Sequence, residues 1–263
     1  MILTIDIGNT NITLGVYDGK ALRFHSRMES NRARLEDQYA IELRDILDLH
    51  GVASSALQGA ILCSVVPPLT RTLANAVRKL TSKEPLIVGP GIKTGLNIRI
   101  DNPGQLGGDL VAGAVAAIAE TPVPCIIFDL GTATTVSVVG PDGAFLGGVI
   151  LPGVGISLDA LTQRTAQLLQ ISLEAPPHVI GTNTTDSMQA GSVLGTADMM
   201  DCICRRIEEE LGSPATAVVT GGFSGLIVPH CRRPMIHRDM LILDGLRILF
   251  EKNAPAGDIA PSN

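Results

Sequence analysis

The chain has 263 residues, of which 45% are hydrophobic and only 3% aromatic, and its formal net charge is −6. This composition supports a sizeable core in one large or two smaller domains, and it argues against nonspecific binding to nucleic acid or to an anionic membrane. Five cysteines without a CxxC pair indicate buried thiols in a reducing compartment. No segment has the length and apolarity of a signal peptide or a membrane span, so we predict a cytoplasmic protein.

The first half of the chain reads as strands alternating with helices. The apolar run ILTIDI at 2–7 predicts a strand, and Asp18-Gly19 predicts the turn of the hairpin that follows. The next predicted elements are a helix over 36–50, a buried strand within 59–68, a helix over 69–80, a short strand within 85–91 and a helix from about Asp109.

The second half begins in the same way as the first. CIIFDLGTATT at 125–135 is an apolar strand that ends in Asp, Gly and Thr, as TIDIGNTN does at 4–11, and the next hairpin again turns at Asp-Gly, Asp142-Gly143. Helices near 154–170 and 186–212 and a strand within 216–222 complete this half. The repeat predicts an α/β fold of two similar halves with a cleft between them.

We place the predicted halves at continuous ranges of the chain. The N-terminal half covers residues 1–115 and the C-terminal half covers 116–252. The end of the chain, rich in Ala, Pro, Gly and Asn, is predicted to be a flexible tail over 253–263.

Each of the two strands that end in an acid, Gly and Thr leads into a turn, and this turn forms a corner that presents backbone N–H groups and hydroxyls. Such donors hold phosphate oxygens. A single corner is equally consistent with a capped turn, but two copies in matching context favour phosphate binding, with Asp6 and Asp129 serving cations. A strand that runs into Gly221-Gly222 is either a tight turn or an adenosine contact. The order of these three elements resembles the actin, hexokinase and Hsp70 superfamily of ATP-binding folds. This resemblance implies an α/β fold of two ribonuclease H-like (actin-like) halves, with mixed β-sheets flanked by helices and the cleft between them.

Asp109 follows a glycine-rich turn and opens an alanine-rich helix. An aspartate at this position either caps the helix or accepts a proton from a substrate hydroxyl that attacks the γ-phosphoryl group of ATP. The residues by themselves leave both roles open.

Eight segments, in order over residues 1 to about 250, resemble type III pantothenate kinase. They are DIGNTN (6–11), SVVPPLT (64–70), KTGLNIRIDNP (93–103), GGD (107–109), DLGTATT (129–135), GGVILPG (147–153), GTNTTDSMQAG (181–191) and TGGFSG (220–225). The resemblance implies ATP-dependent phosphorylation of pantothenate to 4'-phosphopantothenate, the first step of coenzyme A biosynthesis. It also implies a bacterial cytoplasmic homodimer that uses Mg²⁺ and a monovalent cation, K⁺ or NH₄⁺.

The same resemblance assigns roles to single residues. Asp109 matches the general base, Asp129 matches the ligand of the monovalent cation, and Asp6 is an expected contact of Mg²⁺. The implied ATP-binding residues are Asp6, Ile7, Gly8, Asn9, Thr10, Asn11, Ile12, Thr13, Thr132, Gly221 and Gly222. The implied pantothenate-binding residues are Ile100, Gly107, Gly108, Asp109, Leu110 and Thr184.

Two acceptor-side positions depart from the family pattern: Leu110 stands where the family has Arg, and Ile100 where it has Tyr. An aliphatic side chain offers no hydrogen bond, and losing one to a charged group costs about 1.5–3 kcal/mol. Three functions therefore stay open. They are a pantothenate kinase with a modified acceptor pocket, a paralogous kinase for another small hydroxyl compound, and a nucleotide-binding regulator without turnover.

Overall fold

The protein is described by a computed structural model over residues 1–254. This part of the chain forms two compact units. Unit 1 comprises 1–96, 101–116 and 241–254, and unit 2 comprises 97–100 and 117–240. Each unit contains one mixed five-stranded sheet with helices, which confirms the predicted α/β fold of two similar halves.

Unit 1 begins with an antiparallel three-stranded meander and continues with parallel strands. Its first elements are β1 (Ile2–Ile7), β2 (Asn11–Asp18), β3 (Ala21–Glu29), α1 (Glu36–Leu49), β4 (Gly59–Ser64), α2 (Pro67–Thr81), β5 (Leu86–Ile87) and α3 (Gly108–Glu120), and α3 belongs to unit 2 from residue 117 on. The sheet order is β3-β2-β1-β4-β5, in which β4 pairs in parallel with both β1 and β5. The predicted hairpin turn is confirmed, with Gly19 in the left-handed region at φ +58°.

Unit 2 repeats this topology. Its elements are β6 (Cys125–Leu130), β7 (Ala133–Val139), β8 (Phe145–Pro152), α4 (Val154–Arg164), α5 (Thr184–Leu211), β9 (Thr216–Thr220), α6 (Ser224–Ile227) and β10 (Ile236–His237). The sheet order β8-β7-β6-β9-β10 has the same three antiparallel and two parallel strands as unit 1. The predicted helix over 154–170 is too long, because Thr165 is extended and ends α4.

The last helix, α7 (Leu241–Asn253), belongs to unit 1. It packs against β1, β2 and β4, and buries Leu241, Leu243, Leu246, Leu249 and Phe250. The compact units therefore differ from the continuous ranges 1–115 and 116–252. The predicted tail over 253–263 begins with Asn253, which is helical, and its residues 255–263 lie outside the described part.

The sheet of unit 1 presents two different faces. Ile5 and Ile7 belong to a core that includes Leu43 of α1 and Leu73 of α2. Since side chains alternate along a strand, Thr4 and Asp6 lie on the opposite face. The fold thus places Asp6 at the end of β1, away from the α1–α2 core. Within residues 1–254, no helix combines the length and apolarity needed to cross a bilayer.

The approach of α7 to α3 requires a glycine at 245, because a Cβ there would overlap the carbonyl oxygen of Ala112. We expect Gly245→Ala to lower the free energy of unfolding by about 1–3 kcal/mol, as overpacking typically does, measured by urea denaturation. Gly113→Ala is the matched control, because its added Cβ would come no closer than 4.0 Å to Leu241 Cδ2. The control should be neutral or stabilising by up to about 1 kcal/mol. Equal stability of the two variants would contradict the predicted close approach.

Candidate active site

The turn between β1 and β2 is braced by the segment that follows β3. Gly8 N donates to Asn11 O at 3.0 Å and Ser30 N donates to Thr10 O at 3.0 Å. Ser30 Oγ also donates to the carbonyl oxygen of Gly8 at 2.6 Å. Residues 9–11 nevertheless stay exposed. A turn that is held in place but open to solvent meets the requirement for binding an anion through its backbone.

Asp6 lies beside Cys63, its partner on the parallel strand β4. The thiol of Cys63 donates to Asp6 Oδ1 at 3.2 Å. Burial raises the pKa of this thiol well above its ordinary value, and the nearby charges of Asp6 and Asp109 raise it further. Cys63 is therefore a neutral hydrogen-bond donor to Asp6 rather than a nucleophile.

The N-terminus of α3 brings Asp109 to the same end of β4. The contact is close, because a Cβ on Gly108 would lie 3.1 Å from Cys63 Cβ and one on Gly107 would overlap Asp109 Oδ1. Asp109 Oδ1 is buried and has no hydrogen-bond partner. Burial raises the pKa of Asp109, and the backbone amides of Leu110 and Asp109 partly oppose that shift. A carboxylate with one buried, uncommitted oxygen is suited to accept a proton.

The second corner, between β6 and β7, contains Asp129 and Thr132. Asp129 pairs with Thr135 on β7 and with Thr220 on β9, as Asp6 pairs with Thr13 and Cys63. A Cβ on Gly153 would overlap the carbonyl oxygen of Thr132, so the start of α4 packs tightly on this turn. The two predicted phosphate corners are therefore equivalent positions of the two sheets.

The strand-Gly-Gly turn follows β9 and lies against Asp129. Gly221 adopts φ +98°, and a Cβ there would lie 2.6 Å from Asp129 Oδ1. Glycine is thus required both for the backbone conformation and for the close approach of this turn to Asp129. Gly222 is exposed next to it.

A hydrogen-bonded group that sequence analysis missed holds the same turn. Ser224 Oγ donates to the carbonyl oxygen of Gly221 at 2.5 Å and lies 2.7 Å from His237 Nε2. That ring nitrogen is also 2.8 Å from Asp239 Oδ1. No spacing in the sequence identifies this group, because β10 brings His237 back to the turn only through its pairing with β9.

The remaining residues predicted to bind pantothenate, the phosphoryl acceptor, lie in unit 2. Ile100 is half-buried, and its Cγ2 lies 3.9 Å from the position of a Cβ on Gly147. Thr184 is the first residue of α5 and lines a cavity of about 1020 Å³. The structure thus groups Asp6, Gly107, Gly108, Asp109 and Leu110 in unit 1, and it groups Asp129, Thr132 and Gly221 in unit 2.

Comparison with known sequences identifies one family. The family model of type III pantothenate kinase matches residues 2–206. A type III pantothenate kinase of Anaeromyxobacter sp. (strain K) is 44% identical over 253 residues, which cover 96% of this chain and 100% of the relative. That of Moorella thermoacetica is 42% identical with the same coverage, and that of Myxococcus xanthus is 41% identical over 255 residues, with 96% and 99% covered.

Solved structures share the fold at low sequence identity. A conserved putative Baf family transcriptional activator from Campylobacter jejuni has a TM-score of 0.61 at 20% identity, covering 95% of this chain and 97% of its own. A putative 2-dehydro-3-deoxygalactonokinase from Sinorhizobium meliloti has a TM-score of 0.59 at 13% identity, covering 100% and 99%. These likenesses show the fold alone.

Proposed function

The chain belongs to the type III pantothenate kinase family, and from that membership we propose its reaction. It transfers the γ-phosphoryl group of ATP to the hydroxyl of pantothenate and yields 4'-phosphopantothenate, the first step of coenzyme A biosynthesis. The observation that carries this proposal within the chain is Asp109, whose buried Oδ1 has no hydrogen-bond partner.

Asp109 acts as the general base in the proposed reaction. As the pantothenate hydroxyl oxygen forms its bond to the γ-phosphorus, the bond from that phosphorus to the leaving ADP oxygen breaks, and the hydroxyl proton passes to the carboxylate of Asp109. Burial supports this role, because a raised pKa makes the carboxylate a stronger base.

The proposed nucleotide contacts come from the two corners and the strand-Gly-Gly turn. Residues 6–13 and Thr132 bind phosphate oxygens, and Gly221 and Gly222 contact the adenosine. The exposed turn at residues 9–11 and the glycine conformation at 221 support these assignments.

The proposed cations are K⁺ or NH₄⁺ at Asp129 and Mg²⁺ at Asp6. Asp6 and Asp129 are both half-buried at equivalent positions of the two sheets, and carboxylate oxygens suit these hard cations. Residues 1–254 contain no group of three or more His, Cys, Asp or Glu side chains able to hold a metal, so further ligands would be backbone, water or substrate oxygens. When bound, the cations offset the charge of the triphosphate.

A second candidate function differs from the first in the hydroxyl compound that is phosphorylated. We propose that Ile100, Gly107, Gly108, Leu110 and Thr184 contact pantothenate together with Asp109. Leu110 and Ile100 are apolar, and Arg99, a nearby cation in sequence, already pairs with Asp142. These observations favour, as the second candidate, a paralogous kinase with a different hydroxyl acceptor.

We also propose that the protein is a cytoplasmic homodimer that associates through unit 2. Leu151, Leu168 and Gly181 line the cavity, and their chain neighbours Ile150, Leu169 and Ile180 are each at least 75% exposed. Gly191 and Gly195 of α5 line it too, with open space where a Cβ would be. Exposed apolar side chains beside a concave surface are typical of an interface.

Asp109→Asn tests the proposed base. We expect kcat to fall about 10²- to 10⁴-fold while ATP binding stays within about twofold, measured by coupled ADP release and by calorimetry. As the pH is lowered, the wild-type kcat/KM for pantothenate should fall because Asp109 becomes protonated. Because its pKa is raised, this fall should begin at a higher pH than an exposed aspartate would give. Full activity in Asp109→Asn would overturn the proposed role of Asp109. A wild-type protein that phosphorylates other alcohols but not pantothenate would favour the second candidate function.

Leu110→Arg tests the acceptor pocket. If Leu110 weakens binding of the pantothenate carboxylate, restoring the basic side chain should lower the KM for pantothenate by about tenfold, the lower end expected for one charged hydrogen bond. Leu110→Met, which keeps an apolar side chain of similar volume, is the control. A KM for Leu110→Arg that is unchanged or higher would mean that the pocket is arranged differently.

Gly195→Arg tests the dimer. Arg fills the space at the cavity wall, so we expect the molar mass from light scattering to fall from that of a dimer to that of a monomer. Glu209→Arg puts the same side chain on an exposed position of α5 outside the cavity and should leave the dimer intact. A monomeric wild type, or a dimeric Gly195→Arg protein, would refute the proposed interface.

A further inference from the structure

The proposed nucleotide contacts lack a positively charged side chain. ATP brings several negative charges, and stabilisation of phosphoryl transfer usually draws on Lys or Arg as well as metal ions. None of the proposed ATP-binding residues is basic. The inference that follows rests on the proposed function, because it names a further residue of the same nucleotide site.

Strand pairing places an arginine in the row of Asp6, meaning the residues that are directly paired across neighbouring strands at the position of Asp6. Asp6 pairs with Thr13 on β2, and Thr13 pairs with Arg27 on β3. On the other side, Asp6 pairs with Cys63 on β4. Directly paired residues of neighbouring strands share a face of the sheet, with Cβ atoms about 4.5–5.5 Å apart. Arg27 therefore lies on the same face as Asp6, two strands away.

Arg27 forms no ion pair with a carboxylate among the described residues. It is exposed, and none of the carboxylates within residues 1–254 lies within 4.0 Å of its guanidinium nitrogens. Arg32, the other basic residue at this corner, differs because its Nη2 donates to Asn9 Oδ1 at 3.4 Å. The guanidinium of Arg27 is therefore available to a ligand that binds along the row of Asp6 and Thr13, and its planar fork of donors suits a phosphate group.

The equivalent row of unit 2 has no cation. There Asp129 pairs with Thr135, and Thr135 pairs with Ile150 on β8. The acid and the threonine recur, whereas arginine is replaced by isoleucine. A sheet of this topology therefore forms without a basic side chain at this position. The role of Arg27 is thus distinct from supporting the sheet.

We propose that Arg27 is a phosphate-binding residue of this kinase. Its guanidinium donates hydrogen bonds to oxygens of the ATP triphosphate and neutralises charge on the phosphate group held at the first corner. The planar fork of donors matches two phosphate oxygens, which a lysine amine cannot do.

The test compares Arg27→Gln and Arg27→Lys with a matched control. Arg23→Gln removes the same charge from an exposed position of the same strand, about 13 Å away at the usual rise per residue. Equilibrium binding of Mg-ATP without acceptor and steady-state kinetics with ATP and pantothenate are measured for each protein. Unfolding midpoints verify that all variants are folded.

We expect Arg27→Gln to weaken ATP binding and to lower kcat/KM for ATP by about 10- to 100-fold, with the KM for pantothenate within about twofold of wild type. Arg27→Lys should recover part of the loss, and Arg23→Gln should behave as wild type. Equal ATP binding in wild type and Arg27→Gln, or equal losses in Arg27→Gln and Arg23→Gln, would overturn the inference. A wild type that binds ATP but does not phosphorylate pantothenate would refute the proposed acceptor, and the ATP-binding comparison would still decide the role of Arg27.

Discussion

In unit 1, two carboxylates meet a buried thiol where β1 and β4 end, and the proposed phosphoryl transfer depends on this contact. Asp6 accepts a hydrogen bond from Cys63, and the start of α3 brings Asp109 against the same cysteine. Two acids close together in a partly desolvated place are unfavourable unless donors or cations offset them. A neutral thiol donor and helix N-terminal amides reduce that cost, and the proposed cation would reduce it further, which is consistent with the proposed binding of metal and phosphate.

Both units use one scaffold, and they differ in the side chains attached to it. The order of strands and the positions of the two acid corners are the same. The neighbour of the acid on the parallel strand is Cys63 in one unit and Thr220 in the other. Unit 1 adds Asp109, the proposed base, whereas unit 2 adds the glycine turn that Ser224 and His237 hold in place. A duplicated fold thus supports a division of chemical roles.

The residues proposed to bind the acceptor are where this chain departs from the pattern expected for its family. A relative at 44% identity over almost the whole chain establishes the family. Replacement of a charged hydrogen bond by an aliphatic contact changes affinity by one to two orders of magnitude. We therefore propose that substrate preference depends on Leu110 and Ile100 more than on the shared scaffold.

The sequence by itself determined the repeated α/β architecture, because strand and hairpin signals are local and recur in the same order in both halves. It also located Asp6, Asp109 and Asp129 through motifs that are continuous in the chain. Only the tertiary structure decided that α7 packs on the first sheet, that Asp109 keeps a buried oxygen without a partner, and that Arg27 lies in the row of Asp6. These features depend on strand pairing and on helices that return from distant parts of the chain, and no local periodicity contains that information.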